Sequence, residues 1–264
     1  RQSILQDAVQ GRLTAQWRQA HPNQEPASEL LRRIRAEKAA AGKKEKTLPP
    51  VTAEEMPFEL PEGWVWCRLG EVALFSEAGK SLKCDDRPIE AGEWGIIKMS
   101  AVSSKVFVEA HNKFLSKKAP NDLSNKIECG DLIFTRASGS KELTGVSSMV
   151  KILSSNLLLN DKTIRFKFID NETAEFVQLF NNSFFARQYY EKIMSAKSTS
   201  MNNLTRPQFN GLPVPLPPLS EQTAIVARVE AMLERVSDME AESARQRVWA
   251  EGLLQAALRE AMGG

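Results

Sequence analysis

Histidine and cysteine are scarce in this sequence, which limits the metal chemistry that it can support. His21 and His111 are the only histidines, so a multi-histidine site is excluded. Three widely spaced cysteines form neither a CxxC pair nor an even-numbered disulfide framework, and this usage is typical of a reducing compartment. No apolar run approaches the roughly 18 residues that a membrane span needs. We therefore expect a cytoplasmic protein with no metal site and no membrane partner.

Catalytic and nucleotide-binding motifs are missing as well. AGKS at 78–81 is similar to the end of a phosphate-binding loop, but that loop needs a glycine five residues before Gly79, where Leu74 stands. No GxGxxG, HExxH or GxSxG occurs, so dinucleotide-binding, zinc-protease and serine-hydrolase chemistry have no support. The sequence therefore shows no catalytic constellation and predicts no cofactor in this chain.

Acidic residues are absent from two stretches of an otherwise balanced chain. The formal net charge is +2, and residues 64–210 carry 20 lysines and arginines against 16 acids. No acid occurs from Lys192 through Ser220, or in LIFTRASGSK at 132–141. Such stretches offer hydrogen-bond donors and do not repel phosphate, which favours a nucleic-acid surface. Ordinary solvated polar loops are the alternative that charge alone leaves open.

Amphipathic helices are predicted at the start of the chain. Apolar residues share one face of the pattern RQSILQDAVQGRL, inside which Arg1 lies. We interpret Arg1 as an artificial boundary or as a point within a longer chain. SELLRRIRAEKAAA predicts a second helix with Ser28 as its N-cap and Gly42 as its stop, and residues 43–63 are predicted to be an exposed linker.

Residues 64–210 have the pattern of a mixed α/β domain. The β-branched and aromatic runs WVWCRLGEVALF, GIIKMSAV, GDLIFT and KTIRFKFI predict strands. NETAEFVQLFNNSFFARQYYEKIMS interrupts them with helical spacing. The residues that this spacing places on one side are Phe176, Leu179, Phe180 and Phe184. The predicted fold class is α/β (mixed), with a mixed β-sheet in a globular domain and long helices beside it.

A long helix is predicted beyond the proline-rich stretch GLPVPLPP at 211–218. Proline fixes its own φ and holds the preceding residue extended, so we expect a stiff strut that sets the direction of the next helix. Ser220 is the predicted N-cap of a helix whose apolar residues alternate four and three apart, as in a heptad seam. The seam residues are Ile225, Val229, Met232, Val236, Met239 and, beyond a polar middle, Leu253. About 40 helical residues extend roughly 60 Å, which requires another helix alongside.

Four stretches resemble the specificity (S) subunit of type I restriction-modification enzymes, and the similarity covers nearly the whole chain. They are LPEGWVWCRLGEV, IECGDLIFTRASGS, SAKSTSMNNLTRPQFNGLPVPLPPLSEQTAIVARVE and the leading RQSILQDAVQGRLT. The proline stretch with the adjoining LSEQTAIVARVE is the most specific of them. Family members usually hold two target recognition domains separated by conserved helical regions. This sequence has one such domain and therefore resembles the second half of an S subunit.

The resemblance implies a DNA-reading subunit that is not itself an enzyme. Its recognition domain would read one half of a split target in double-stranded DNA. Its long helices would pair as an antiparallel coiled coil, set the distance between two recognition domains and dock modification (methyltransferase) subunits. Methyl transfer from S-adenosylmethionine and ATP-driven cleavage would belong to partner subunits, including the restriction (translocase/nuclease) subunit. A half-length chain with an exposed seam is also expected to form a homodimer.

The resemblance also divides the chain into parts. Residues 1–20 would be a conserved helical region, 21–60 a short helix and linker, 61–218 the target recognition domain and 219–264 the C-terminal conserved helix. A stand-alone enzyme with an unrecognised site and a coiled-coil scaffold that binds protein without reading DNA stay open as alternatives. Sequence-selective, salt-dependent duplex binding distinguishes a DNA reader from both.

Arginine and amide side chains in the acid-free stretches are the candidates for reading bases. Arginine can bind guanine in a bidentate manner, as Asn or Gln can bind adenine, whereas lysine is better suited to phosphate. Arg136 and Arg206 are the predicted guanine readers. The full set of predicted DNA-binding residues is Lys80, Ser81, Arg136, Ser138, Ser140, Lys141, Lys197, Ser198, Thr199, Asn202, Asn203, Arg206 and Gln208.

Overall fold

The computed structural model describes residues 1–42, 48–195 and 202–262, with the backbone alone for 253–262. The helices are α1 (Gln2–Val9), α2 (Ala15–Ala20), α3 (Ala27–Ala40), α4 (Leu69–Val72), α5 (Ser100–Ser103), α6 (Asn171–Asn181), α7 (Phe184–Ser195), α8 (Arg206–Asn210) and α9 (Leu219–Met262). The strands are β1 (Val65–Arg68), β2 (Phe75–Ala78), β3 (Trp94–Ile97), β4 (Asn112–Ser116), β5 (Leu132–Thr135), β6 (Ala137–Ser138), β7 (Ser147–Met149), β8 (Asn156–Leu158), β9 (Thr163–Lys167), β10 (Asn202–Asn203) and β11 (Pro213–Leu216).

Two main sheets organise the globular part, and the predicted mixed α/β class is confirmed. One sheet has the strand order β2-β9-β5-β7 and is antiparallel, while the other has the order β4-β3-β8, with β3 and β8 parallel. Phe134 of β5, Phe166 of β9 and Phe209 of α8 are fully buried, with ring centroids 5.0 to 6.1 Å apart. This aromatic packing fixes α8 to the larger sheet.

Two predicted strands end earlier than their sequence patterns suggested. The run WVWCRLGEVALF contains β1 and β2, but its middle forms the short helix α4, because the Glu71 carboxylate accepts from Arg68 N at 2.8 Å and closes a turn. GIIKMSAV likewise forms β3 and then α5, in which Ala101 and Val102 are fully buried. Burial on a helix therefore accounts for apolar residues that the sequence assigned to strands.

The helix predicted over residues 171–195 is two helices, α6 and α7. Asn181 Nδ2 donates to Gly145 O at 2.8 Å, and Asn182 Nδ2 donates to Ser147 O at 2.9 Å, so these side chains bind the β7 region where the helix breaks. The break changes the helical phase. Of the four residues predicted to share one side, Phe176 and Phe180 of α6 are buried and Leu179 is half-buried, whereas Phe184 lies on α7 and is 43% exposed.

The proline-rich stretch forms a strand at the base of the long helix. β11 pairs antiparallel with β1, with Val65 opposite Leu216 and Arg68 opposite Pro213. The extended geometry of this stretch was predicted correctly. Pairing with β1 stabilises it in addition to the restricted φ of the prolines. A two-stranded ribbon accepts prolines because a strand needs ladder donors on one side only. The N-cap prediction at Ser220 was wrong because α9 begins at Leu219, and that at Ser28 was wrong because α3 begins at Ala27.

A buried carboxylate joins the globular part to the helices. Glu221 is fully buried and accepts from Thr14 Oγ1 at 2.7 Å, from Trp64 Nε1 at 2.8 Å and from Arg18 Nη1. Thr14, Trp64 and Glu221 come from three of the stretches that carry the family resemblance. The stretches are therefore held together by one carboxylate group.

The long helix is covered along its first part only, within the side chains that the structure describes. Ile225 and Val229 are fully buried, and α9 contacts α1 and α6 there. α1 runs antiparallel to α9, because Arg1 bonds Glu240 whereas Thr14 bonds Glu221. Met232 and Val236 are half-buried, Met239 is 72% exposed, and all of residues 237–252 are exposed. The Leu253 side chain lies outside the described part of the chain.

Candidate nucleic-acid interface

The two acid-free stretches meet in a two-stranded ribbon. β6 pairs antiparallel with β10, with Ser138 opposite Asn202 and Ala137 opposite Asn203. Leu204 N donates to Arg136 O at 2.8 Å and extends this pairing. The structure therefore brings together two stretches that the sequence analysis selected separately by their charge.

The predicted contact residues differ in their access to solvent. The exposed members are Lys80, Ser81, Lys141, Asn203 and Arg206, and the half-buried members are Arg136, Ser140, Asn202 and Gln208. Ser138 is 6% exposed, and its hydroxyl oxygen accepts from Ser140 N at 3.2 Å. Ser138 therefore shapes the turn and is nearly inaccessible to solvent, and its contact with DNA stays a prediction. Lys197, Ser198 and Thr199 lie outside the described residues.

A short capped helix presents Arg206. Gln208 Oε1 accepts from Thr205 N at 2.8 Å and from Thr205 Oγ1 at 3.0 Å, which closes a capping box at the start of α8. Phe209 anchors the same helix in the core. Arg206 therefore projects from a fixed backbone. The Gln208 oxygen already serves the cap, so adenine reading by Gln208 would compete with it.

AGKS has a packing role at the end of β2. A Cβ on Gly79 would lie 2.1 Å from Asn160 O, so glycine is required for the close approach of these two segments. Lys80 then forms an isolated parallel bridge with Asn160. The Lys80 ammonium group donates to Asp122, and it holds the pKa of Asp122 well below its usual range.

A cleft of about 300 Å³ next to Lys80 gathers further lysines that the sequence analysis did not select. Lys98, Lys113 and Lys162 line it together with Lys80. Arg136 N donates to Lys162 O at 2.8 Å, so the cleft adjoins the ribbon. Lys98 and Lys162 lie within the predicted strand runs GIIKMSAV and KTIRFKFI. Their position at the ends of strands was the only feature of the sequence that could have pointed to this cluster. Their separation along the chain concealed the cluster.

Arg187 of α7 supports the loop that carries Lys141. Its Nη2 donates to Thr144 O at 2.6 Å, and its Nη1 donates to Glu142 O at 3.2 Å. Burial lowers the pKa of Arg187 from its ordinary value, although an arginine remains protonated in proteins. The guanidinium group thus ties the turn after β6 to the helical layer.

The described parts of the chain offer little for metal chemistry. Within residues 1–42, 48–195 and 202–262, no group of histidines, cysteines and carboxylates is arranged to hold a metal ion. The Cys67 thiol is buried, and burial raises its pKa. No helix in the same residues combines the length and apolarity that crossing a bilayer requires.

Comparison with known proteins identifies the family. The model of the type I restriction modification DNA specificity domain matches residues 61–245, which include the ribbon, the lysine cleft and α9 up to residue 245. The chain belongs to this family. The specificity domain thus extends from the Trp64 region, through both sheets, into the long helix.

Named relatives of the specificity domain agree with this assignment. The chain is 38% identical over 237 residues to the EcoEI specificity subunit of Escherichia coli, and 33% identical over 244 residues to the EcoAI specificity subunit. These alignments cover 87% and 89% of this chain but 39% of each relative, so the chain spans about two fifths of their length. A solved chain from a type I R-M system has the same fold, with a TM-score of 0.54 at 17% identity over 96% of this chain and 56% of that one.

Proposed function

We propose that this chain is the sequence-reading half of a type I specificity subunit. It reads one half of a bipartite target in double-stranded DNA and performs no chemistry itself. The ribbon of β6 and β10, free of acidic residues and flanked by Arg206 and Lys141 within a specificity domain, is the observation that carries the proposal. Both acid-free stretches contribute side chains to the readout, because the ribbon joins them.

Base reading and backbone binding fall to different side chains. Arg136 and Arg206 supply planar guanidinium groups suited to the O6 and N7 atoms of guanine, and Asn202 and Asn203 supply amides suited to adenine. Lys141 supplies a point charge for phosphate, which positions the duplex without reading it. Sequence preference therefore resides in the arginines and amides, and salt dependence in the lysines.

The helices serve assembly. α9 and the antiparallel α1 dock modification subunits, which would use S-adenosylmethionine, while ATP-driven cleavage would belong to a restriction subunit. No cofactor is assigned to this chain. The scarcity of catalytic motifs in the sequence supports this division of labour between subunits.

Selection from a random duplex library tests the DNA reading. The chain is assembled with its modification subunit, and enriched duplexes are then bound at several salt concentrations. We expect one enriched half-site, with log K falling by about 0.9 per log unit of salt for each phosphate contact. Salt-insensitive protein association without enrichment of any sequence would contradict DNA reading and favour a scaffold.

A homodimer is the further assembly that we propose. The seam continues beyond the globular part from Met239, which is 72% exposed, and its heptad spacing is suited to a second copy about a two-fold axis. Two copies would present identical recognition domains to an inverted repeat. Light scattering at micromolar concentration should report a dimer, and a monomer with an intact α9 would contradict it.

A further inference from the structure

The lysine cleft beside Lys80 is built from four separate segments of the chain. Lys80 follows β2, Lys98 follows β3, Lys113 lies in β4 and Lys162 precedes β9. Asn160 fixes two of these segments, because it bridges to Lys80 and its Nδ2 donates to Ile97 O at 2.6 Å. The lysines are therefore gathered by the two sheets and not by one flexible loop.

Beside the cleft, one carboxylate oxygen lies close to the ammonium groups of two of the lysines that line it. Asp86 Oδ1 lies 3.3 Å from Lys98 Nζ and 3.2 Å from Lys113 Nζ. A phosphate oxygen can be shared between two lysines in the same way, as a charge-assisted acceptor. The two lysines hold the pKa of Asp86 below its ordinary value, so the carboxylate is ionised at neutral pH.

The carboxylates in and around the cleft are positioned to be replaced. The side chain of Asp86 is 74% exposed, and that of Asp122, the partner of Lys80, is 55% exposed. Ion pairs this exposed are weak, so an incoming anion displaces them at small cost. Asp161 also lines the cleft, which moderates its positive charge.

The cleft continues into the proposed base-reading surface. Lys162 O accepts from Arg136 N, and Arg136 O accepts from Leu204 N, both at 2.8 Å. We therefore expect a duplex whose bases meet the ribbon to bring its backbone past the lysines. Double-stranded DNA presents about one charge per 1.7 Å of its axis, so phosphates are available along the whole cleft.

Building on the DNA reading proposed above, we propose that this cleft binds the phosphate backbone beside the half-site, and that Asp86 and Asp122 occupy the lysines until phosphate displaces them. The lysines then contribute affinity without sequence preference. The carboxylates lower the affinity for every sequence alike, which limits binding to DNA that offers no base contacts.

The test measures binding by the chain assembled with its modification subunits. A duplex with the selected half-site and a scrambled duplex are titrated at several salt concentrations. Lys98→Gln with Lys113→Gln should weaken both duplexes by the same factor and reduce the salt slope by about 0.9 for each phosphate that the lysines no longer neutralise. Asp86→Asn should strengthen both, by roughly two- to fivefold, because an exposed ion pair is a weak competitor.

A matched control and a double-mutant cycle locate the effect. The control variant combines Lys117→Gln with Lys118→Gln and also removes two positive charges. These lysines follow the end of β4 at which Ser116 pairs with Trp94, away from Lys113, so the salt slope should not change. The effect of Asp86→Asn should differ when Lys98 and Lys113 are both Gln, because the variant then relieves repulsion of phosphate only and no longer frees two lysines. An effect of Asp86→Asn that is the same with and without the two lysines, or a slope insensitive to Lys98 and Lys113, would overturn the cleft proposal.

The outcomes also distinguish failure of the cleft proposal from failure of the proposed DNA reading. A parent complex that enriches no sequence, but whose salt slope depends on Lys98 and Lys113, would overturn sequence reading and support the cleft. A selective parent whose slope ignores these lysines would do the reverse. Weakening of the selected duplex alone would show base reading in the cleft and overturn phosphate binding.

Discussion

At the scale of single residues, the candidate base readers rest on backbone that is fixed in different ways. The Arg136 backbone is bonded on both sides, through its N–H to Lys162 O and through its carbonyl to Leu204 N. Arg206 stands on a capped helix that Phe209 anchors in the core. Side chains that begin from rigid backbone lose less freedom on binding, which favours selective contacts.

Alanine substitutions should distinguish reading from positioning. Arg136→Ala and Arg206→Ala should each cost about 1–3 kcal/mol of binding free energy and relax one base position, because each removes a guanidinium group that we propose binds guanine. Lys141→Ala should weaken all sequences alike and reduce the salt slope by about one. Binding of a mutated half-site series measures both effects. If all three variants keep the parental affinity and slope, the ribbon does not face DNA.

Charge patterning predicted part of the candidate interface, and geometry explains the remainder. The absence of acidic residues can be seen in the sequence, so the stretches that contain Arg136 and Arg206 could be selected as candidate DNA-binding segments. Burial of Ser138 and capping by Gln208 were not visible, because both depend on turns closed by hydrogen bonds. The lysine cleft was missed because strands distant in sequence meet only after the sheets form.

At the scale of elements, β1, β11 and α9 form one joint around Glu221. The ladder between β1 and β11 fixes the start of α9, and Glu221 then binds Thr14, Arg18 and Trp64. The prolines predicted an extended stretch, and the heptad pattern predicted the helix. Neither pattern revealed the buried carboxylate, because LSEQ is equally suited to an exposed helix start.

Substitution of Glu221 tests this joint. Glu221→Gln keeps the size of the side chain but removes the charge that faces Arg18, and it places an amide donor beside Trp64 Nε1 or Thr14 Oγ1. We expect the free energy of unfolding to fall by about 1.5–3 kcal/mol, as for other hydrogen bonds to charged groups. Chemical denaturation measures the change.

The same helix supplies a control. Glu230 pairs with Lys151 at 2.8 Å, but the two side chains are 59% and 54% exposed, so Glu230→Gln should cost less than about 1 kcal/mol. Equal losses for Glu221→Gln and Glu230→Gln would show that Glu221 is not the residue that holds the joint.

At the scale of the whole molecule, the joint around Glu221 bears on the expectation that α9 sets the distance between two recognition domains. β11 and Glu221 fix where α9 leaves the globular part, so the length of α9 determines how far away its distal end lies. Residues 237–252 are exposed, and Arg1 bonds Ser237 and Glu240 at the beginning of this stretch. Changes there should alter the spacing between domains and leave each domain intact.

If α9 sets the distance between two recognition domains, an insertion of four residues after Ser243 should change the preferred spacer length by a predictable amount. Four residues add about 6 Å to the helix and turn the apolar face by about 40°, which the polar middle of the seam should absorb. At roughly 3.4 Å per base step, the preferred spacer between half-sites should grow by one or two base pairs. The half-site sequences should stay the same, because Arg136 and Arg206 lie on an unaltered domain.

Methylation by the assembled enzyme across a series of spacer lengths measures the optimum spacer. A variant in which the inserted sequence replaces residues 241–244 is the control, because it changes the sequence and keeps the length of α9. A folded, active insertion variant that keeps the parental optimum would show that α9 is a scaffold whose length does not set the spacing.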